Sequence, residues 1–99
     1  MARYDLYPGL GRSEYVLDVQ ADLLSDLNTR IVVPLLNPAD APEPARGLNP
    51  TFSIGGSDYV MMTQFLAAVP CSQLKTPVGN LSNHHDEIMN AVDMIFLGF

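Results

Sequence analysis

The spacing of apolar residues changes once along the 99-residue chain, from short strand-like runs to a single helical stripe. Arg3 to Tyr7 and Tyr15 to Val19 are runs rich in Tyr, Val and Leu, parted by the turn-forming Pro8-Gly9-Leu10-Gly11. Tyr15-Val16-Leu17 lies between Glu14 and Asp18, as expected of a mostly buried strand. Ala21 to Asn28 fits either a helical turn at Asp22-Leu23-Leu24 or a bulged extension of that strand. Arg30-Ile31-Val32-Val33-Pro34-Leu35 is a strong β run. Pro34 places it at an edge or a bulge, because proline has no N–H to give a ladder. Thr51 to Ile54 and Ser57 to Met62 flank Gly55-Gly56, which predicts a hairpin. Ala67 to Leu74, with Pro70 inside it, adds one or two short strands.

Beyond Ser82 the period becomes helical. Ile88, Ala91, Val92, Ile95, Phe96 and Phe99 follow i, i+3, i+4, i+7, i+8 and i+11, one face of an α-helix. Ser82 is the expected N-cap, and Asp86 and Glu87 suit the positive end of the helix dipole. Gly98 ends the helix, so Phe99 need not continue it. The predicted architecture is mainly β within the α+β class. It is an antiparallel β barrel or sheet followed by one C-terminal helix.

Length makes this one domain spanning residues 1–99, since two cores in 99 residues would each be too small to offset chain entropy. Hydrophobic residues at 47% against charged ones at 16% describe a folded globule with apolar surface to spare for a partner. So small a core gains from a shared interface, so a homodimer is expected, centred on Ile88, Val92, Ile95 and Phe96 or the strand beside them. The net charge of −6 and the scattered Arg3, Arg12, Arg30, Arg46 and Lys75 argue against direct nucleic-acid binding. They favour a basic protein partner. Asn37 to Pro50 holds four of the eight prolines among Asp, Glu and Ala, and reads as a long acidic surface loop. No run approaches transmembrane length, and Met1 to Tyr7 is not a signal peptide, so the expected location is the cytoplasm.

Candidate chemistry is sparse. His84 and His85 point about a hundred degrees apart on a helix and cannot share a metal, so they read as solvated first-turn residues. Cys71 follows Pro70 without a basic neighbour and reads as a small buried hydrophobe. Gly9-Leu10-Gly11 lacks the third glycine of a nucleotide loop. No nucleophile, acid and base come together, so no catalytic residue, metal or cofactor is expected. Phe96-Leu97-Gly98-Phe99 admits two readings: the last turn of a core-packed helix, or an apolar anchor for a partner. Phe96 fits the core face, Leu97 falls off it, and Phe99 follows a glycine.

The chain resembles the CcdB family of toxins, which poison DNA gyrase and are neutralised by the antitoxin CcdA. The resemblance runs nearly end to end. It includes Leu17-Asp18-Val19-Gln20-Ala21-Asp22-Leu23-Leu24, Arg30-Ile31-Val32-Val33-Pro34-Leu35, Ile54-Gly55 and Met61-Met62-Thr63. It continues through Ala68-Val69-Pro70, Leu81-Ser82 and Asn90-Ala91-Val92-Asp93-Met94-Ile95-Phe96-Leu97-Gly98-Phe99. The resemblance implies an SH3-like barrel with a C-terminal helix, a homodimer, and a non-enzymatic toxin that traps gyrase on cleaved DNA.

It also implies site residues. The family's Trp-Gly-Ile tip, which meets the gyrase A subunit, falls on Leu97, Gly98 and Phe99, and an apolar pair near the same target falls on Leu23 and Leu24. Loops such as Asn37 to Pro50 commonly face the antitoxin, which singles out Asn37, Asp40, Glu43 and Arg46; DNA is met only together with the antitoxin. Two departures stand out: at the tip Leu97 replaces the tryptophan that stacks on a gyrase arginine and Phe99 replaces an aliphatic end, and Asn37 to Pro50 differs from the family in composition. Leu97 raises the alternative of a non-toxic member that serves only antitoxin binding or operon regulation. A ribonuclease toxin on the same barrel would want a basic groove that this acidic chain lacks.

Overall fold

A computed structural model describes residues 1–98 of the chain. Seven strands and one helix follow in order: β1 (Asp5–Pro8), β2 (Tyr15–Asp18), β3 (Thr29–Leu36), β4 (Thr51–Ile54), β5 (Ser57–Met61), β6 (Ala67–Pro70), β7 (Gly79–Asn80) and α1 (His85–Leu97). They form one curled antiparallel sheet in the order β4-β5-β3-β2-β1-β7, with β6 also paired to β3. The expected mainly-β barrel-like sheet with a single C-terminal helix is therefore present. No helix among the described residues is long and apolar enough to cross a membrane.

The sheet curls because β3 changes partner part-way along one side. Its first half, Thr29 to Val32, pairs with β6, and Leu35 and Leu36 pair with β5. Pro34 sits at that change, opposite Val16 of β2. Of the two expected positions, an edge or a bulge, the edge does not hold: Pro34 is inside the sheet, at an interruption of pairing that leaves no ladder bond for its missing N–H. The hairpin at Gly55-Gly56 is as expected. Both glycines have positive φ, 61° and 86°, so β4 and β5 meet across a two-residue turn with Ile54 opposite Ser57.

Alternation along the strands sorts side chains onto two faces. Leu6, Leu17, Val33, Leu35, Phe52 and Met61 form the main core, and α1 covers it with Ile88 and Ala91. On the other face Tyr7, Val16, Val32 and Leu74 make a smaller cluster.

Two sequence expectations about the helix region change. Ser82 is not its N-cap. It opens a short 3-10 turn, Ser82–His84, where its own N–H is held by Asn80 Oδ1 at 2.8 Å, and neither turn nor helix has a side-chain cap. Phe96 leaves the core face, with 68% of its surface exposed, because only the first half of α1 lies over the sheet. The histidines are solvated as expected, His85 exposed and His84 in part, but they also tie the helix start to the sheet. His85 Nδ1 hydrogen-bonds the buried Tyr4 hydroxyl, and the His84 ring lies 4.8 Å from that of Phe52. Cys71 is likewise only partly buried, its Sγ 3.6 Å from the Leu27 carbonyl.

Candidate functional site

The end of α1 is the first candidate. Gly98 adopts a left-handed φ of 82° and its N–H donates to Met94 O at 3.0 Å, closing the helix. Just before it, Phe96 and Leu97 are 68% and 60% exposed, so two large apolar side chains meet solvent on one turn. Phe99, the last of the expected tip residues, lies outside the described residues. The four residues expected at a dimer interface are split. Ile88 is fully buried inside its own chain, Val92 and Ile95 are half-buried, and Phe96 projects. A second copy can therefore reach Val92, Ile95 and Phe96 but not Ile88.

The turn after β2 is the second candidate. Asp22–Leu24 forms a single 3-10 turn with no buried residue, and Leu23 is 93% exposed. Leu24 and Leu27 are about half exposed beside it. Leu27 was absent from the sequence-based set; its spacing from Leu23 and Leu24 was the available signal. The turn is held from behind by Gln20, whose Nε2 donates to Leu24 O at 3.0 Å and whose Oε1 accepts from Ile31 N at 3.1 Å. Arg3 links it to the helix, with Arg3 N donating to Asp22 Oδ1 at 2.8 Å and its guanidinium 2.8 Å from Met89 Sδ. Met89 precedes Leu97 by about two helical turns.

The third candidate is a cleft of about 690 Å³ on the side of the sheet away from α1. Leu10, Pro34, Leu36, Pro42 and Phe65 supply apolar lining, and Arg12 and Asp40 bring opposite charges to it. Asp40 and Pro42 belong to the acidic loop, whose Asn37, Asp40, Glu43 and Arg46 are all exposed; of these four only Asp40 lines the cleft. The loop returns to the core through Asn49. Its Nδ2 donates to Met61 O at 3.0 Å and to Gln64 Oε1 at 2.7 Å, and its Oδ1 accepts from Ala45 N at 2.9 Å. Arg12 and Phe65, which the sequence did not single out, come to the cleft only through folding.

The CcdB protein family model matches residues 3–98. The chain belongs to the CcdB family. Members of that family are toxins of toxin–antitoxin pairs, so an antitoxin is the partner that membership implies. Within this CcdB-family chain, the first two features lie on the helix end and the β2–β3 connection, and the cleft joins the β3–β4 loop to Pro34 and Leu36 of β3.

One polar group is enclosed by the sheet itself. Arg30 Nε–H donates to Asp18 Oδ2 at 2.7 Å, and both side chains are fully buried. Asp18 Oδ1 also accepts from Gln20 N at 3.0 Å. Burial nevertheless holds the Asp18 carboxyl above the usual carboxylate range, against the opposing pull of Arg30 and the Gln20 N–H. This pair was missed because an Arg and an Asp in separate strands leave no local pattern. No group of three or more metal-ligating side chains occurs among the described residues.

Proposed function

We propose that this chain is a toxin that works by occupying protein surfaces and performs no catalysis of its own. In this reading the tip at Leu97, Gly98 and Phe99, with Leu23 and Leu24, docks on the DNA gyrase A subunit and traps the cleaved-DNA complex. The single observation that carries the reading is the pair of exposed apolar side chains, Phe96 and Leu97, on the last turn of α1. Folding leaves such surface bare at a stability disadvantage, so a binding role explains it. A homodimer through Val92, Ile95 and Phe96 would cover part of this surface and present two tips.

The same reading gives the cleft bounded by Asp40 and Pro42 to a CcdA-like antitoxin. An apolar cleft with one cation and one anion suits an amphipathic segment that orders on binding. Calorimetry against a gyrase A fragment tests the first half: wild type binds, and a chain lacking Leu97 to Phe99 keeps its circular dichroism but does not bind. Equal binding by the two overturns the tip. Sedimentation that finds only monomer at micromolar concentration overturns the dimer.

A second reading rests on Leu97. Leucine has no π face for a guanidinium, so a member that binds antitoxin and regulates its operon without poisoning gyrase fits this residue. Induced expression in bacteria separates the two readings: loss of viability that depends on Leu97 to Phe99 supports the toxin, and unchanged viability supports the silent partner.

A further inference from the structure

Tyr4 is the one residue other than glycine with a positive φ among the described residues, 71°, and it is buried. A tyrosine holds that conformation only where its surroundings over-determine it. Here Tyr4 N donates to Asp18 O at 2.6 Å, its carbonyl accepts from Leu81 N at 2.9 Å, and its hydroxyl hydrogen-bonds His85 Nδ1 of α1. Beside it, Arg3 stands between two elements far apart in sequence. Arg3 N donates to Asp22 Oδ1 at 2.8 Å. The Arg3 guanidinium lies 5.1 Å from the centre of the Tyr4 ring and donates to Met89 Sδ of α1 at 2.8 Å.

These contacts join two apolar patches of the surface. Asp22 opens the 3-10 turn that carries the exposed Leu23 and Leu24. Met89 comes seven residues before the exposed Phe96 on α1. That spacing puts the two within about 20° of one helix face and roughly 10 Å apart along the axis. The side of α1 that Arg3 grips is therefore the side that ends in Phe96. We propose that Arg3 and Asp22 are positioning residues: the link Asp22–Arg3–Met89 fixes the turn leucines relative to the helix end, so that both patches present one apolar surface to a single partner protein. This rests on the reading above, in which the turn and the tip dock on one target. Alignment before binding removes an ordering cost that a loose turn would carry.

Residual dipolar couplings of the free full chain test the link without any partner. In the wild type the amides of Asp22 and Leu23 and those of α1 are expected to fit one rigid frame with the sheet. In Asp22→Ala and in Arg3→Ala the sheet and α1 should keep that frame and Asp22 and Leu23 should leave it, while Gln20 still holds Leu24. The double variant should be no looser than either single one, because both cut the same link. A turn that stays in the frame in both single variants overturns the proposal, and so do losses that simply sum. Calorimetry against a gyrase A fragment gives a readout that a purely structural bond would not move. If the aligned state falls to about a tenth of the population, binding weakens about tenfold with Leu23, Leu24 and the tip intact. In a chain that already carries Leu23→Ala and Leu24→Ala, cutting the link should cost nothing further. Unchanged binding by the single variants, or an equal further loss without the leucines, overturns the joint surface. A wild type that does not bind, with couplings that change as expected, overturns gyrase as the target and still supports the link.

Discussion

Gly47 of the acidic loop lies against Met94 of α1 so closely that a Cβ built on it would stand 2.7 Å from the Met94 methyl carbon. Gly47 also has a φ of 81°, where side chains are strained. The loop that lines the cleft and the helix that carries the exposed tip are therefore in contact through one glycine and one flexible side chain.

Gly47→Ala is expected to destabilise the fold by about 1–2 kcal/mol from backbone strain alone, with the methionine clash added. Because the methionine end can move, Gly47→Ala combined with Met94→Ala should lose less than the two single changes summed. Thermal unfolding of the four proteins measures this. Strict additivity would show that the contact does not matter in solution.

The ion pair between Asp18 and Arg30 behaves as a unit. Asp18→Asn or Arg30→Met alone leaves one buried polar group without its partner, a loss of about 3–5 kcal/mol when the remaining group is charged. The double variant should be markedly less unstable than the sum. Urea unfolding at a fixed protein concentration gives the coupling, and a coupling near zero contradicts the buried geometry.

At the tip, Leu97→Trp should strengthen gyrase A binding by about 0.5–2 kcal/mol for each cation–π contact regained. The gain would double in a homodimer that uses both tips. Calorimetry beside the wild type reads the difference. Should neither protein bind, gyrase is not the target and the antitoxin-only reading stands.

Alkaline pH should unfold the protein. Burial pushes the Tyr4, Tyr7 and Tyr15 hydroxyls above the usual phenol value. An unfolded chain sheds these protons at about pH 10, whereas the folded chain retains them longer. The folded state then binds more protons, so stability is intact below about pH 10 and falls as pH rises towards the raised folded values. Phenolate absorbance should appear together with loss of circular dichroism. Smooth phenol titration in an intact fold would contradict the burial of these rings.

Asn49→Ala should free the acidic loop. It removes three hydrogen bonds, to Ala45 N, Met61 O and Gln64, and orphans a buried carbonyl, at about 1–3 kcal/mol. Antitoxin binding should weaken as well, because Asp40 and Pro42 would no longer hold one wall of the cleft. Unchanged affinity for a C-terminal antitoxin segment would detach the loop from that role.

Much of this protein is written locally. Gly55-Gly56 determines its own hairpin, since paired positive φ angles are cheap only for glycine. The 3.6-residue stripe that includes Ile88 and Ala91 determines a helix and which side of it goes inward. The order of short motifs likewise suffices for the family. Tertiary structure decided the rest. Periodicity says which face of α1 is apolar but not where the sheet beneath it ends, and so Phe96 turned out exposed. Strand propensity finds β3 but not its change of partner, which is what admits Pro34 to the interior. In the sequence Arg30 is one more of the scattered cations. Only the pairing of β2 with β3 brings it onto the face of Asp18, 12 residues away, where a charge can be buried because its counter-charge is buried with it.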